Sequence, residues 1–180
     1  MSKNILVIST SPRKGGNSDC LADEFVRGAR EAGNQVEKVT LYDKTIGFCK
    51  GCLSCQNTQH CIIHDDAEVI AQKMLTADVI AFATPIYYYG MCGQMKTLLD
   101  RSNPLFPSDY AFRDIYLLAT AADSAESSMD GAVKGLEGWI ACFEKAALRG
   151  VVRGTGADGA GTILQVPVAL KSAFELGNKA

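Results

Sequence analysis

The chain has 180 residues, a formal net charge of −2, 47% hydrophobic residues and 21% charged residues. This balance is typical of one globular domain spanning residues 1–180, and it lacks the basic runs with which proteins bind nucleic acid or a membrane surface. Because the apolar runs are strand-length and no secretory leader is evident, we expect a cytoplasmic protein.

Strand-length apolar runs alternate along the chain with helix-length amphipathic segments. The predicted strands are 5–10, 35–41, 79–83, 115–120 and 147–152, and Thr84-Pro85 is expected to end the third. The predicted helices are one running to Gly33, one from Asp65 or Asp66 through Met74, and those at 95–101, 128–145 and 167–176. Residues 43–64 show no period, and 103–112 reads as a surface connection.

This alternation predicts a five-stranded parallel α/β sheet with helices on both faces. Ligands bind such sheets beyond the carboxyl ends of the strands, at the point where the strand order reverses. The loops after Thr10, Thr84 and Thr120 lie at that edge, so we expect the functional site there.

The first of these loops has the composition of an anion site. Residues 9–18 read Ser-Thr-Ser-Pro-Arg-Lys-Gly-Gly-Asn-Ser and pass directly into a helix pattern. The N–H groups of a first helical turn lack intrahelical partners and can bind a phosphate. Arg13 can add a charged pair, and the side chains of Ser11, Asn17 and Ser18 add donors. The alternative is an ordinary turn in which Asn17 or Ser18 caps the helix.

The second loop carries three consecutive tyrosines, Tyr87, Tyr88 and Tyr89. They follow a proline and cannot all enter one core. A flat aromatic surface beside a phosphate site suits a planar ring system. The alternative is a rim of half-buried tyrosines that form hydrogen bonds through their hydroxyl groups.

The pattern Ser-Pro-Arg-x-x-Gly-Asn-Ser at 11–18, with Pro-Ile-Tyr at 85–87 and Asp100-Arg101, resembles the NAD(P)H-dependent FMN reductase family. The resemblance implies a flavodoxin-like three-layer sandwich of strand order 2-1-3-4-5, FMN as cofactor and NAD(P)H as co-substrate. It implies that the FMN phosphate is held by Ser11, Arg13, Asn17 and Ser18. It implies that the isoalloxazine ring is bordered by Pro85, Ile86, Tyr87, Tyr88 and Tyr89. The family often has glycine where Thr10 stands, and the loop 120–123 matches no fixed pattern.

Four cysteines, Cys49, Cys52, Cys55 and Cys61, form a C-x2-C-x2-C-x5-C run. Its overlapping steps resemble the ferredoxin-type run that holds an iron–sulfur cluster. The spacing also resembles that of iron–sulfur flavoproteins, which implies a 4Fe–4S cluster that exchanges electrons with FMN. Structural zinc and free or paired thiols are the alternatives. We expect the other three cysteines to be packing residues; they are Cys20, Cys92 and Cys142.

Several other signals favour a structural interpretation. Residues 154–159 satisfy G-x-G-x-x-G, but no helix pattern opens at Gly159, so we predict a flexible loop rather than a dinucleotide site. His60 and His64 are expected to be solvated, and Trp139 to lie in the core or a subunit contact. Arg101 is close to the flavin by resemblance but receives no role.

Taken together, the sequence favours an FMN-dependent NAD(P)H oxidoreductase that reduces a quinone, an aromatic compound, a flavin or a protein acceptor. The first alternative is an iron–sulfur flavoprotein electron carrier fed by ferredoxin. The second is a non-catalytic flavin-binding module. Residues 43–64 are too long for a plain connection, so we expect them to pack against a partner subunit in a homodimer or homotetramer.

Overall fold

The computed structural model describes residues 2–180. The strands in these residues are β1 (Asn4–Ser9), β2 (Gln35–Thr40), β3 (Val79–Tyr87), β4 (Gly90–Met91), β5 (Asp114–Thr120) and β6 (Ala147–Gly154). The α-helices are α1 (Asn17–Glu31), α2 (Cys55–Thr58), α3 (Asp66–Thr76), α4 (Gly93–Arg101), α5 (Asp130–Ile140) and α6 (Pro167–Lys179). Short 3-10 turns occupy Asn103–Leu105, Glu126–Met129 and Thr162–Gln165.

Five strands pair in parallel in the order β2-β1-β3-β5-β6, and the short β4 pairs antiparallel with the end of β3. The predicted five-stranded parallel sheet and its order are therefore confirmed, with β4 as an addition. The four central residues of β1, 5–8, are all apolar because helices cover both faces of the strand. Leu6 and Ile8 pack with α3, α4 and α5, whereas Ile5 and Val7 pack with α1 and α6. No helix within residues 2–180 has both the length and the apolar character needed to cross a membrane.

Most predicted boundaries lie within three residues of the observed ones, but two elements differ more. Strand β3 does not end at Thr84-Pro85, because Pro85 stands opposite Thr120, the last residue of β5, where a missing N–H is tolerated. The strand then continues into the hairpin with β4. The helix predicted at 128–145 spans only Asp130–Ile140, and the following turn places Phe143 against Trp139 and other aromatic rings of the core.

The segment predicted as a surface connection, 103–112, contributes to the core. Leu105, Tyr110 and Phe112 are buried, and the rings of Tyr110 and Phe112 stack with centroids 4.5 Å apart. Two prolines in this segment indicated an exposed loop, but the 3-10 turn Asn103–Leu105 directs its apolar side chains inward. The segment therefore closes the sheet face that carries α4 and α5.

Helices α1 and α6 pack closely through glycine, and this contact yields a prediction. A Cβ atom at Gly177 would clash with the backbone of Phe25, whereas one at Gly138 on α5 would meet no atom within 4 Å. We expect Gly177→Ala to lower the free energy of unfolding by about 1–3 kcal/mol. Gly138→Ala should leave it unchanged or raise it by up to about 1 kcal/mol. Urea unfolding measures both, and equal effects of the two substitutions would contradict the close helix contact.

Candidate functional site

The loops after β1, β3 and β5 converge on one cavity of about 170 Å³ at the carboxyl edge of the sheet. Its lining residues are Ser11, Arg13, Gly16, Asn17, Ser18, Pro85, Ile86, Tyr87, Thr120, Ala122, Ala157, Asp158 and Ala160. Seven of the nine residues predicted for the flavin site therefore share one cavity. The remaining two, Tyr88 and Tyr89, lie at the tip of the adjacent hairpin.

One end of the cavity presents hydrogen-bond donors without partners in the described part of the chain. Helix α1 begins at Asn17, and its N-cap, Gly16, is extended and contributes no side-chain cap, so the first N–H groups are left open. A Cβ at Gly16 would stand 2.6 Å from Ser11 Oγ, so the loop requires glycine here. Ser18 is 1% exposed, and its Oγ has no hydrogen-bond partner within residues 2–180. A buried hydroxyl without a partner indicates that the acceptor arrives with a ligand.

The other predicted phosphate residues have distinct structural roles. The Ser11 hydroxyl donates to the carbonyl of Arg13 at 2.9 Å and accepts from its N–H at 3.2 Å, which shapes the loop. Arg13 is exposed at the cavity. The Asn17 amide donates to the carbonyls of Ala157 (3.0 Å) and Gly159 (2.7 Å). Asn17 therefore joins two walls of the cavity, and neither Asn17 nor Ser18 is the helix cap.

The glycine-rich segment 154–159 is part of the site rather than a flexible loop. The N–H of Ala157 donates to the carbonyl of Ala121 at 2.8 Å, and that of Gly156 donates to Asp123 at 3.0 Å. Residues 157–160 thus form the wall opposite Ser18, which the sequence interpretation missed. The only local signal was the glycine density directly after the last strand. No helix opens at Gly159, as predicted, because the next turn begins at Thr162.

Thr10, which replaces the glycine frequent in the resembled family, is buried below the anion loop. Its hydroxyl donates to the carbonyl of Ala83 at 2.8 Å and lies 3.2 Å from Cys92 Sγ. Cys92 also accepts a hydrogen bond from the Thr84 hydroxyl at 3.4 Å. The prediction that Cys92 is a packing residue is confirmed, and Thr10 ties β1 to β3 instead of entering the cavity.

Tyr88 and Tyr89 form a two-residue hairpin turn in which both backbones are left-handed, with φ of 48° and 62°. Such a turn normally carries Asn-Gly, since the left-handed conformation costs other residues free energy. Both rings are exposed, and Tyr88 is fully so. A Cβ at Gly131 on α5 would clash with the Tyr89 carbonyl, so α5 holds the turn in place. The strained turn therefore presents two aromatic rings beside the cavity.

We expect the double substitution Tyr88→Asn/Tyr89→Gly to raise the free energy of unfolding by about 1–2 kcal/mol, because it relieves the left-handed strain. Tyr42→Asn changes an exposed tyrosine whose φ is not positive and should shift stability by less than about 0.5 kcal/mol. Denaturant unfolding measures both effects. A loss of stability in the double variant would show that contacts of the two rings stabilise the free protein by more than the strain of the turn costs.

The four predicted metal-ligand cysteines, Cys49, Cys52, Cys55 and Cys61, line a second cavity of about 470 Å³. The ends of α4 and α5 complete it with Asn103, Trp139 and Cys142, among others. Cys142 is exposed, so its prediction as a packing residue is wrong: the helix ends before it. In residues 2–180 no group of three or more His, Cys, Asp or Glu side chains is arranged to hold a metal ion.

Three of the four sulfurs nevertheless accept a hydrogen bond. Backbone N–H groups two residues further along donate to Cys49 (from Gly51, 3.4 Å) and Cys61 (from Ile63, 3.5 Å). The amide of Asn103 donates to Cys55 Sγ at 3.1 Å. Hydrogen bonds from the backbone and hydroxyl of Ser54 lower the pKa of the Cys52 thiol. Donors of this kind favour thiolates. The segment 47–63, called the cysteine loop below, therefore fits a thiolate-bound group once its sulfurs converge.

His60 and His64 point away from this cavity. Their Nδ1 atoms lie 3.4 Å and 2.8 Å from the carboxylate of Glu68, and both side chains are largely exposed. The hydrogen bond from His64 lowers the pKa of Glu68. The expectation of solvated histidines is confirmed.

A buried ion pair between Arg101 and Asp65 holds the two ends of the cysteine loop together. The two terminal nitrogens of Arg101 donate to the two Asp65 oxygens at 2.7 and 2.9 Å. The same nitrogens donate to the carbonyls of Gly47 (2.8 Å) and Ile63 (2.9 Å). Arg101 received no role in the sequence interpretation, and it closes the loop that carries all four cysteines.

The ion pair makes the stability of this loop depend on pH. Burial opposes the charge of Asp65, but the hydrogen bonds from Arg101, Gly47 and Ala67 outweigh it and hold the pKa below its ordinary value of 3.8. Because the pKa of Asp65 is lower in the folded protein, its ionised carboxylate stabilises the fold fully at pH values above the ordinary pKa. This contribution is lost as the pH falls through the folded-state pKa.

We expect Asp65→Asn to lower the free energy of unfolding by about 3–5 kcal/mol near neutral pH, because it leaves the Arg101 charge buried and unpaired. The difference from the wild type should shrink as the pH falls below 3.8, the ordinary pKa of the residue. Asp66→Asn is the matched control, since Asp66 accepts a backbone hydrogen bond from Thr45 instead of an ion pair. A difference that stays constant down to about pH 2 would contradict the pairing.

Comparison with known proteins gives one family and two kinds of relative. Residues 3–155 match the NADPH-dependent FMN reductase family. A 101-residue stretch is 40% identical to the iron–sulfur flavoprotein MJ1083 of Methanocaldococcus jannaschii and covers 56% of this chain and 52% of that protein. The chain thus spans about half the length of this relative. YwqN of Bacillus subtilis, named as an NAD(P)H-dependent FMN-containing oxidoreductase, is 29% identical over 96% of this chain and 95% of its own length.

Among solved structures, an azoreductase of Bacillus anthracis superimposes with a TM-score of 0.74 and 17% identity, over 100% of both chains. At this identity the similarity concerns the fold, and it confirms the flavodoxin-like architecture.

Proposed function

The chain belongs to the NADPH-dependent FMN reductase family, and from this premise we propose that it transfers electrons from NAD(P)H through FMN to a small-molecule or protein acceptor. The acceptor classes are quinones, aromatic compounds and free flavin. The single observation that supports the binding mode best is the buried, unpartnered hydroxyl of Ser18 at the open N-terminus of α1. It is the kind of donor that a phosphate group satisfies.

Different residues of the cavity bind the phosphate and the ring of FMN in this proposal. The backbone N–H groups of Asn17 and Ser18, the Ser18 hydroxyl and the Arg13 guanidinium bind the phosphate, and Ser11 holds the loop in shape. The flavin ring lies against Pro85, Ile86 and Tyr87 and extends towards the hairpin tip. There Tyr88 and Tyr89 border it. The chemistry supplied by bound FMN is acceptance of hydride from a nicotinamide and onward electron transfer.

We expect Ser18→Ala to change stability and FMN affinity in opposite directions. The free protein should gain about 1 kcal/mol or more, because a buried hydroxyl without a partner disappears. FMN affinity should fall by about ten- to a hundredfold, since a hydrogen bond to a charged group is lost. Arg13→Gln should weaken FMN binding without the gain in stability. Quenching of FMN fluorescence gives the affinities, and urea unfolding of the free protein gives the stabilities.

Ser128→Ala provides the matched control. The Ser128 hydroxyl is also buried and unpartnered within residues 2–180, but Ser128 does not line the cavity. This substitution should stabilise the free protein similarly and leave FMN affinity unchanged. If Ser18→Ala behaves like Ser128→Ala in both measurements, the phosphate lies elsewhere.

Catalysis is tested by steady-state oxidation of NADH and NADPH with a quinone acceptor. The proposal predicts turnover well above that of the same concentration of free FMN. Turnover no faster than free FMN would favour the non-catalytic flavin-binding module.

A second candidate function is supported by the four cysteines that line one cavity and by the hydrogen bonds that three of their sulfurs accept. In this proposal Cys49, Cys52, Cys55 and Cys61 bind a 4Fe–4S cluster, and the protein is an electron carrier that ferredoxin reduces. The name of the Methanocaldococcus jannaschii relative is consistent with it. Iron and sulfide analysis after oxygen-free purification decides: about four of each per chain supports the cluster, and a metal-free protein contradicts it.

The cysteine loop also supports a proposal about assembly and location. Phe48, Leu53 and Ile62 are exposed on it, and we propose that it packs against a second copy in a homodimer or homotetramer near the flavin site. All seven cysteines are unpaired thiols, as expected of a reducing cytoplasm. Light scattering after gel filtration tests the assembly, and a monomer at micromolar concentration would contradict it.

A further inference from the structure

The guanidinium of Arg101 has one donor that the loop does not use. Its side chain is 0% exposed, and its terminal nitrogens bind Asp65, Gly47 and Ile63. Its Nε is buried and has no hydrogen-bond partner within residues 2–180. A buried cationic donor without an acceptor costs free energy, so it indicates a negative group that is absent from the free chain.

Of the four cysteines, Cys61 is the one joined to Arg101 by a chain of two hydrogen bonds. One terminal nitrogen of Arg101 donates to the carbonyl of Ile63, and the N–H of Ile63 donates to Cys61 Sγ. Burial acts against the cation, but hydrogen bonding and charge from Asp65 and Cys61 raise the pKa of Arg101. The guanidinium and the Cys61 sulfur are therefore linked through the backbone of Ile63, which contacts both groups.

Asp65 does not use up the charge of Arg101. Its carboxylate also accepts hydrogen bonds from the backbone N–H groups of Gly47 and Ala67, at 2.8 and 3.0 Å. Asp65 is the N-cap of α3, where the helix dipole stabilises a carboxylate. Part of its negative charge is thus compensated by the backbone, and the guanidinium retains positive charge for a second anion.

We propose that Arg101 is the electrostatic partner of the anionic centre that the four cysteines form, and that it orients Cys61 in that centre. The proposal rests on the four-cysteine site of the second candidate function. Four thiolates around a divalent ion carry a net charge of about −2, and a permanently charged guanidinium beside them stabilises this charge. Arg101 is in this sense a positioning residue for Cys61, in addition to closing the loop.

Cobalt(II) is a suitable probe, because thiolate–cobalt absorption reports the centre without flavin turnover. Oxygen-free, metal-free protein is titrated with Co²⁺, and FMN affinity reports the folding of each variant. We expect Arg101→Gln to weaken Co²⁺ binding by about ten- to a hundredfold, the range for a lost charged hydrogen bond. Arg101→Lys keeps the charge and should stay within about threefold of the wild type.

Two further variants distinguish the electrostatic effect of Arg101 on Co²⁺ binding from its structural effect in closing the cysteine loop. Asp65→Asn opens the same ion pair but removes a negative charge, so Co²⁺ affinity should stay equal or increase. Arg149→Gln removes an equal charge on the edge strand β6, where Arg149 pairs with Asp114 and does not line the cysteine cavity, and should leave Co²⁺ affinity unchanged. A purely structural role of Arg101 predicts instead that Asp65→Asn and Arg101→Gln weaken binding alike.

Each outcome decides the proposal. Wild-type protein that gives no thiolate–cobalt absorption overturns the four-cysteine site itself and this inference with it. Wild-type binding that Arg101→Gln leaves unchanged overturns the inference alone, as does equal weakening in Arg101→Gln and Asp65→Asn. If Arg101→Gln does not fold, Arg101→Lys and Asp65→Asn decide: wild-type affinity in both supports the proposal, and a tenfold loss in both contradicts it.

Discussion

Parallel pairing of β1 with β3, and of β3 with β5, determines where the chemistry of this chain takes place. Because parallel strands end at the same edge, the loops that follow them must meet there. Those loops supply the anion-binding turn, the tyrosine hairpin and the wall at 120–122. The helices serve mainly to cover the two apolar faces, and α1 also directs its open N-terminus at the same edge.

Two polar side chains turn this edge and its neighbourhood into defined sites. The Asn17 amide bonds to a carbonyl 140 residues further along the chain, and this contact closes the cavity around Ser18. The Arg101 guanidinium joins the two ends of the cysteine loop to the end of α4. Both contacts are buried or half-buried, and both hold irregular backbone between the regular elements. The proposed flavin site and the cysteine loop are therefore each held by one side chain that makes several long-range hydrogen bonds.

The sequence was informative wherever local patterns decide the structure. The apolar run of β1, the open turn at 11–18 and the tyrosines after Pro85 predicted the sheet and most of the cavity. It was uninformative where distant residues meet. Nothing near Arg101 indicates that this charged side chain is fully buried, and nothing near Asn17 indicates a bond to 157–159. The end of α5 was missed because Phe143, which continues the helical spacing, enters the core from a turn instead. The glycine-rich segment was assigned to flexibility because its partners lie in another loop.

The central claim is that the N-terminus of α1 binds the phosphate of FMN. A crystal structure of the FMN complex tests it most directly. We predict phosphate oxygens within hydrogen-bond distance of Ser18 Oγ and of the first N–H groups of α1, with the ring beside the tyrosine hairpin. A complex in which FMN is bound with its phosphate elsewhere, and the Ser18 hydroxyl still without a partner, would contradict the account.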